Sequence, residues 1–292
     1  MNNRLVTVYI PTYNRATQVY KAINSILIQT YQHFEIIVCD DGSSDETQEV
    51  LKALKDKDDR IFIIKHDKPK GACIARNKCL EIARGEFVTG LDDDDEFTPD
   101  RLEKFMYYAD KLEYTMYCSN LFYKKNTHLI KGERYTGKID LNMISYRNRI
   151  GNQIFVKREL LQKVNGFDPN APAWQDYDLW FRLIKSGCNC YRIPEATYIM
   201  DVSHSGPRIT TSSKAYKGYK YFIEKHRSSL NRYQLNSLYL EDKTNRGEYP
   251  TIVDVINHPC FNGFIALIKR TVYSNIPFIN IILRKKKGLS NS

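Results

Sequence analysis

The sequence predicts an α/β protein built on a mostly parallel central sheet flanked by helices. Two observations predict it. Short apolar, β-branched runs alternate with amphipathic helical stretches over the first ~90 residues, the pattern of a doubly wound parallel sheet. An acidic run, Leu91-Asp92-Asp93-Asp94-Asp95-Glu96, then follows one of those strand-like runs directly, where open α/β sheets place their ligands.

Taken in order, residues 5–10 are apolar and β-branched and read as a buried strand, ended by Pro11-Thr12-Tyr13-Asn14. Residues 16–29 put Val19, Ala22, Ile23, Ile26 and Leu27 on one helical face. Residues 34–39 form a second strand, broken by Asp40-Asp41-Gly42-Ser43-Ser44-Asp45, with Ser44 or Asp45 placed to cap the next helix. A short strand covers 61–64 and a helix covers 71–84, with Gly85 in the position of a C-cap glycine. Residues 86–91 are the fourth strand. Beyond the acidic run the pattern gives a helix over 100–112, strands over 115–123 and 153–156, a helix over 176–185 and a strand over 198–202. Residues 139–149 fit neither period. From residue 213 the chain turns helical, basic and rich in tyrosine, so a boundary is expected at 206–213, between a domain of residues 1–210 and an extension of 211–292.

The chain has 292 residues, enough for one large core or two small ones. Its formal charge is +10, but residues 261–292 hold six Lys or Arg and no acid. The remainder is only mildly basic, which argues against a nucleic-acid-binding surface. Seven scattered cysteines include one C-x-C, Cys188 and Cys190, without a second pair at zinc-site spacing. Free thiols in a reducing cytosol are expected. No signal peptide or transmembrane stretch is expected.

Adjacent carboxylates disfavour one another's ionisation. They are tolerated most easily when solvated or neutralised by a cation, and oxygen-only ligands suit Mg²⁺, Mn²⁺ or Ca²⁺. An EF-hand is excluded, because counting from Asp92 puts Phe97 where that loop needs glycine, and Pro99 follows. A glycine-cradled dinucleotide site is excluded too, since the first βα turn, Pro11-Thr12-Tyr13-Asn14-Arg15-Ala16, has no glycine. A Mg²⁺-dependent nucleotidyltransferase or phosphohydrolase would also use the acidic run, whereas a non-enzymatic membrane module would leave it unexplained.

Four linked segments resemble family 2 glycosyltransferases of the GT-A fold: Ile10-Pro11-Thr12-Tyr13-Asn14-Arg15; Val38-Cys39-Asp40-Asp41-Gly42-Ser43-Ser44-Asp45; Ala75-Arg76-Asn77 with Ala83-Arg84-Gly85-Glu86; and Leu91-Asp92-Asp93-Asp94-Asp95. The resemblance covers about residues 4–205 and implies a nucleotide-sugar-binding half, 1–95, and an acceptor-binding half, 96–210. It places Thr12 and Tyr13 beside base and ribose, Asp40 or Asp41 on the uracil, and Arg76 beside base or diphosphate. Asp92 and Asp94 match the D-x-D positions: Asp92 meets ribose or metal-bound water, Asp94 ligates Mn²⁺ or Mg²⁺, and Asp93 stands with the nucleotide-sugar residues. Asp176, in Trp174-Gln175-Asp176-Tyr177-Asp178-Leu179-Trp180, matches the family's general base. The sequence departs by having Gln175 where Glu is frequent. Asp178 is the rival base, or else a helix N-terminal acid favoured by the dipole. Asn152, Trp174 and Asp95 fall on the acceptor side, while Trp180 reads as core. His204 matches a histidine that reaches metal or diphosphate, and Arg208 a diphosphate clamp.

The resemblance therefore implies an inverting, metal-dependent hexosyltransferase using a UDP-sugar and a polyprenol-diphosphate-linked saccharide in bacterial surface-polysaccharide assembly. The tail, apolar over 261–282, interrupted by Pro277 and ending in Arg284-Lys285-Lys286-Lys287, reads as a membrane-surface segment. A cytoplasmic enzyme on the inner face of the cell membrane is expected, with no nucleic-acid partner.

Overall fold

The computed structural model describes residues 4–132, 134–203, 213–248, 250–261 and 264, which form two compact units. The first comprises residues 1–141, 150–169 and 175–204; the second comprises 142–149, 170–174 and 205–292. Segments 142–149 and 170–174 thus leave the contiguous half expected for 96–210.

The first unit is organised by a ten-stranded sheet. Strands β1 (Val6–Thr12), β2 (Phe34–Asp40), β3 (Ile61–Lys65) and β4 (Phe87–Gly90) run parallel in the order 3-2-1-4. Helices α1 (Ala16–Leu27), α2 (Thr47–Lys55) and α3 (Ala72–Ile82) connect them. Every residue of β1 and β2 is buried, as a parallel sheet covered on both faces requires. Val19, Ala22, Ile23 and Ile26 of α1 pack with Val6, Val8, Ile10, Ile36 and Val38 in one core.

Beyond β4 the sheet becomes mixed. Antiparallel β9 (Phe155–Lys157) lies between β4 and β6 (Met116–Lys125); parallel β10 (Cys190–Asp201) and the short antiparallel β5 (Glu96–Phe97) follow. Helix α4 (Arg101–Lys111) closes this part: Phe105 stacks on Phe155 at 5.1 Å, and Phe155 on Phe87 at 4.6 Å. Two further strands, β7 (His128–Lys131) and β8 (Gly137–Ile139), pair with β6 and β10, and helices α6 (Arg158–Lys163) and α7 (Gln175–Lys185) complete the unit. The second unit contains most of α5 (Leu141–Tyr146), then α8 (Ser213–His226), α9 (Arg232–Asn245) and α10 (Ile252–Asn257).

The expected α/β architecture is present, with local differences. Residues 139–149 resolve into the end of β8 and α5. Strand β10 begins eight residues before the expected 198, because register shifts between Ile193, Ala196 and Tyr198 interrupt its alternation. The residue preceding α2 is Glu46. Asp45 instead accepts from the backbone amides of both Thr47 (3.1 Å) and Ala16 (3.3 Å), serving the starts of two helices at once. All seven cysteines are buried free thiols.

Gly85 is not the C-cap glycine of α3, whose C-cap residue is Ala83. Its lack of a side chain serves close approach: a Cβ there would lie 2.5 Å from the Thr7 backbone nitrogen. Gly85→Ala should therefore cost about 1–3 kcal/mol, the scale of overpacking against a backbone that cannot move aside. Urea unfolding checks this, and unchanged stability would contradict it.

Candidate active site

The first parallel strands reverse order between β1 and β4, making a switch point at their carboxyl ends. The acidic run turns there, and the Asp95 amide bonds to the Asp92 carbonyl at 3.0 Å. Burial alternates along it: Asp93 and Asp95 are buried, whereas Asp92 and Asp94 are half-buried.

The two inward carboxylates are held by protein groups. Asp93 accepts from the Thr12 hydroxyl (2.9 Å) and the Arg15 guanidinium (3.1 Å). Burial, offset in part by Arg15, pushes its pKa up to about 7. Asp95 accepts from the Tyr198 hydroxyl (2.7 Å) and the Asp201 amide (2.9 Å), and burial together with Asp92 and Asp94 raises its pKa. Arg15 also pairs with Asp94. Asp92 accepts on one oxygen from Arg76 (3.0 Å) and from Gln153 (3.2 Å), whose own carbonyl accepts from Tyr9 (3.1 Å).

Arg76 links this run to α7. It projects from α3, lies against the Phe167 ring, and donates to Gln175 at 3.0 Å as well as to Asp92. The neutral Gln175 thus gives Arg76 an acceptor without adding a charge beside Asp176. Asp176 stands in the first turn of α7, and its Oδ1 is buried without a hydrogen-bond partner. Burial raises its pKa to about 7; Arg76 opposes the shift and Asp92 adds to it. A buried, unsatisfied carboxylate oxygen is costly to keep, which marks a position shaped for something other than stability. Asp178 differs: it is buried and bonded at 2.8 Å to Arg182, which also donates to the Val164 and Gly166 carbonyls.

The Asp176 arrangement has a stability signature. A carboxyl whose folded pKa is raised carries no penalty below about pH 4, where both states are protonated. The penalty grows as the unfolded chain ionises and is complete above about pH 7. Asp176→Asn should therefore raise stability at pH 8 by on the order of 1–3 kcal/mol and leave it unchanged near pH 4. Melting curves at the two pH values check this; an equal change at both would contradict it.

The structure brings Thr12, Arg76, Asp92, Asp93, Asp94, Asp95 and Asp176 together. Tyr13 is exposed beside Thr12, and Asn152 is half-buried next to Gln153. Asp40 is fully buried and accepts from the Ser43 amide (2.9 Å) and from Gln48, a turn-forming role. Asp41 accepts from His66 (2.7 Å) and from the amides of Lys70 (2.8 Å) and Gly71 (2.7 Å). Trp174 belongs to the second unit, where its ring meets Tyr219 at 5.5 Å and Phe222 at 5.6 Å. Trp180 is fully buried. His204 and Arg208 lie outside the described residues. The sequence reading missed Arg15, Gln153, Tyr9 and Tyr198. Arg15 had one visible signal, a lone cation on a βα turn that ends at the same switch point as four acids.

A closed metal cage is absent among the described residues, where no three His, Cys, Asp or Glu converge. The donor chemistry nevertheless fits Mg²⁺ or Mn²⁺. Such ions are commonly held by one or two carboxylates, with water and substrate phosphates completing the shell, and Asp92 and Asp94 are the two half-buried aspartates of the run.

The family model described as glycosyl transferase family 2 matches residues 7–167. The putative colanic acid biosynthesis glycosyl transferase WcaA of Escherichia coli K12 is 35% identical over 254 residues, covering 82% of this chain and 88% of the relative. The E. coli UDP-Glc:alpha-D-GlcNAc-diphosphoundecaprenol beta-1,3-glucosyltransferase WfaP is 31% identical, covering 63% of this chain and 71% of the relative. Among solved structures, S. aureus TarS 1-349 in complex with UDP-GlcNAc superposes with a TM-score of 0.69 at 18% identity, covering 82% of this chain and 72% of that one. The Pyrobaculum calidifontis mannosyltransferase PcManGT, in complex with GDP-Man and Mn²⁺, gives 0.58 at 17% identity, covering 97% and 83%. These two structures share the fold. On the family match and the extent of similarity to WcaA, the chain belongs to glycosyl transferase family 2 and is a glycosyltransferase.

Proposed function

We propose that this enzyme transfers a hexose, glucose, galactose or an N-acetyl derivative, from a UDP-sugar to a hydroxyl of a lipid-diphosphate-linked saccharide, with inversion. The observation that carries the chemistry is Asp176: a half-buried residue whose Oδ1 is buried without a hydrogen-bond partner, with a pKa near 7, linked through Arg76 and Gln175 to the acidic run. Asp176 takes the proton of the acceptor hydroxyl as its oxygen bonds to the anomeric carbon. The bond from that carbon to the diphosphate breaks on the opposite face, and the nucleoside diphosphate leaves. Arg76 holds Asp92 and keeps a positive charge beside Asp176, which opposes the upward shift from burial and leaves part of the base ionised at neutral pH. Thr12 and Tyr13 border the nucleoside, Asp40 organises the turn that follows β2, and Asp41 the loop between β3 and α3. Asp94 and Asp92 would hold Mn²⁺ or Mg²⁺, which when bound offsets charge on the departing diphosphate.

The acceptor class and a role in bacterial surface-polysaccharide assembly are supported by the printed specificity of WfaP and the pathway named for WcaA. Such an acceptor places the enzyme at the inner face of the cell membrane. No helix among the described residues is long and apolar enough to cross a membrane, and the basic tail supplies peripheral attraction.

Incubation with UDP-glucose, UDP-galactose, their N-acetyl derivatives and GDP-mannose, with Mn²⁺ and a synthetic lipid-diphosphate-linked N-acetylglucosamine, tests the reading. UDP release coupled to a lengthened lipid-linked saccharide is expected. Release of inorganic pyrophosphate, or turnover of GDP-mannose alone, would contradict it.

A further inference from the structure

We infer that α10, with Phe261 and Phe264 beyond it, forms a membrane-insertion face, and that its occupant is an anionic lipid surface. Ile252, Val253 and Ile256 are 66%, 64% and 71% exposed, and Phe261 and Phe264 are 79% and 54% exposed. Five large apolar side chains within thirteen consecutive positions therefore face solvent. Isolated exposed apolar residues need no explanation, but a group this dense along the chain marks an interaction surface.

The face is held outward by what lies behind it. Val255, on the other side of α10, is buried with Leu240 and Cys260. Thr251 and Asp254 form a reciprocal capping box at the start of the helix, and Lys243 donates to both Asp254 oxygens at 2.9 Å. Asp254, the one acid of residues 250–264, is thereby neutralised. The helix cannot roll its apolar side inward without breaking these contacts.

Charge selects the occupant. The chain continues from Phe264 into residues 265–292, which carry Lys269, Arg270, Arg284, Lys285, Lys286 and Lys287 and no acid. An apolar wedge joined to an acid-free basic segment complements an anionic bilayer, with side chains entering the acyl boundary and cations meeting headgroups. A second copy of the chain would bring the same cations against them and be repelled. The inference rests on the proposed lipid-linked acceptor only for its purpose; its geometry is independent of the sugar chemistry.

Full-length protein is sedimented with phosphatidylglycerol and with phosphatidylcholine vesicles. The wild type should pellet with the anionic vesicles, and the fraction should fall with salt as the basic segment is screened. The Ile252→Ser, Ile256→Ser, Phe261→Ser triple variant should lose about tenfold or more in partitioning. Its melting temperature and its transfer to a short soluble acceptor should be unchanged, since these side chains are exposed and outside the catalytic machinery. In a separate Ile256→Trp variant, brominated lipid should quench the new fluorophore. A wild type that ignores both vesicle types overturns the inference, as does a triple variant that binds like wild type, an unquenched Trp, or a wild-type dimer that the triple variant dissolves without change in vesicle binding. Vesicle binding without sugar transfer would instead count against the proposed function alone.

Discussion

Asp176→Asn loses about 10²–10⁴-fold in turnover, the scale of a missing general base, while donor binding stays close to wild type. The expectation follows from where the carboxylate sits. Its Oδ1 is buried and unpartnered, so the substitution breaks no hydrogen bond at that oxygen. The neighbouring interactions, Arg76 with Asp92 and with Gln175, do not pass through it. A loss of stability therefore cannot explain the loss of rate, and above pH 7 the variant should be the more stable protein. Asp178→Asn gives the opposite pattern. It removes the buried partner of Arg182 and so lowers stability, with turnover per folded molecule retained. Rates normalised to active folded protein separate the two; near-normal turnover in Asp176→Asn beside an inactive, stable Asp178→Asn would reverse the assignment.

Removing the cation should cost roughly 10³-fold, as several kcal/mol of charge stabilisation on the leaving diphosphate disappears. EDTA should silence the wild type, and Mn²⁺ or Mg²⁺ should restore it. Asp94→Ala should not be restored, because Asp94 is one of the two half-buried aspartates in the run. Asp95→Ala is a contrasting variant. Asp95 is committed to Tyr198 and the Asp201 amide, so its loss should appear first as a lowered melting temperature. Isothermal titration of Mn²⁺ in the presence of UDP checks the same point without turnover. Full activity in EDTA, or unaltered Mn²⁺ binding by Asp94→Ala, would contradict it.

The parallel half of the sheet was legible because β1 and β2 are buried on both faces and read as mostly apolar runs. The mixed half was less so. Strands β5, β7 and β8 have two to four residues, too short for alternation to register, and β10 is interrupted by register shifts. At the site, the acidic run announced itself by residue type and position, and Asp176 came from the family resemblance. Their partners did neither, because the contact from Arg76 to Gln175 spans 99 residues and that from Tyr198 to Asp95 spans 103. Nothing local encodes such pairings. Gly85 misled for a related reason: it follows a helix, as a capping glycine would, yet what requires it is the Thr7 backbone on another strand.

The pH dependence of kcat/KM, which reports the ionisation of the free enzyme, tests the role of Asp176 most directly. It is measured at saturating Mn²⁺ for the wild type, Asp176→Asn and Asp93→Asn. Asp93 is the competing titration, since its pKa is also pushed to about 7, and a bound cation holds it ionised. Asp176 as general base predicts a rate that rises with pH as its carboxyl ionises, bends near 7 and stays level above. Asp93→Asn should keep that limb and Asp176→Asn should lose it. A profile already level at pH 5, or a limb that survives in Asp176→Asn and vanishes in Asp93→Asn, would contradict it.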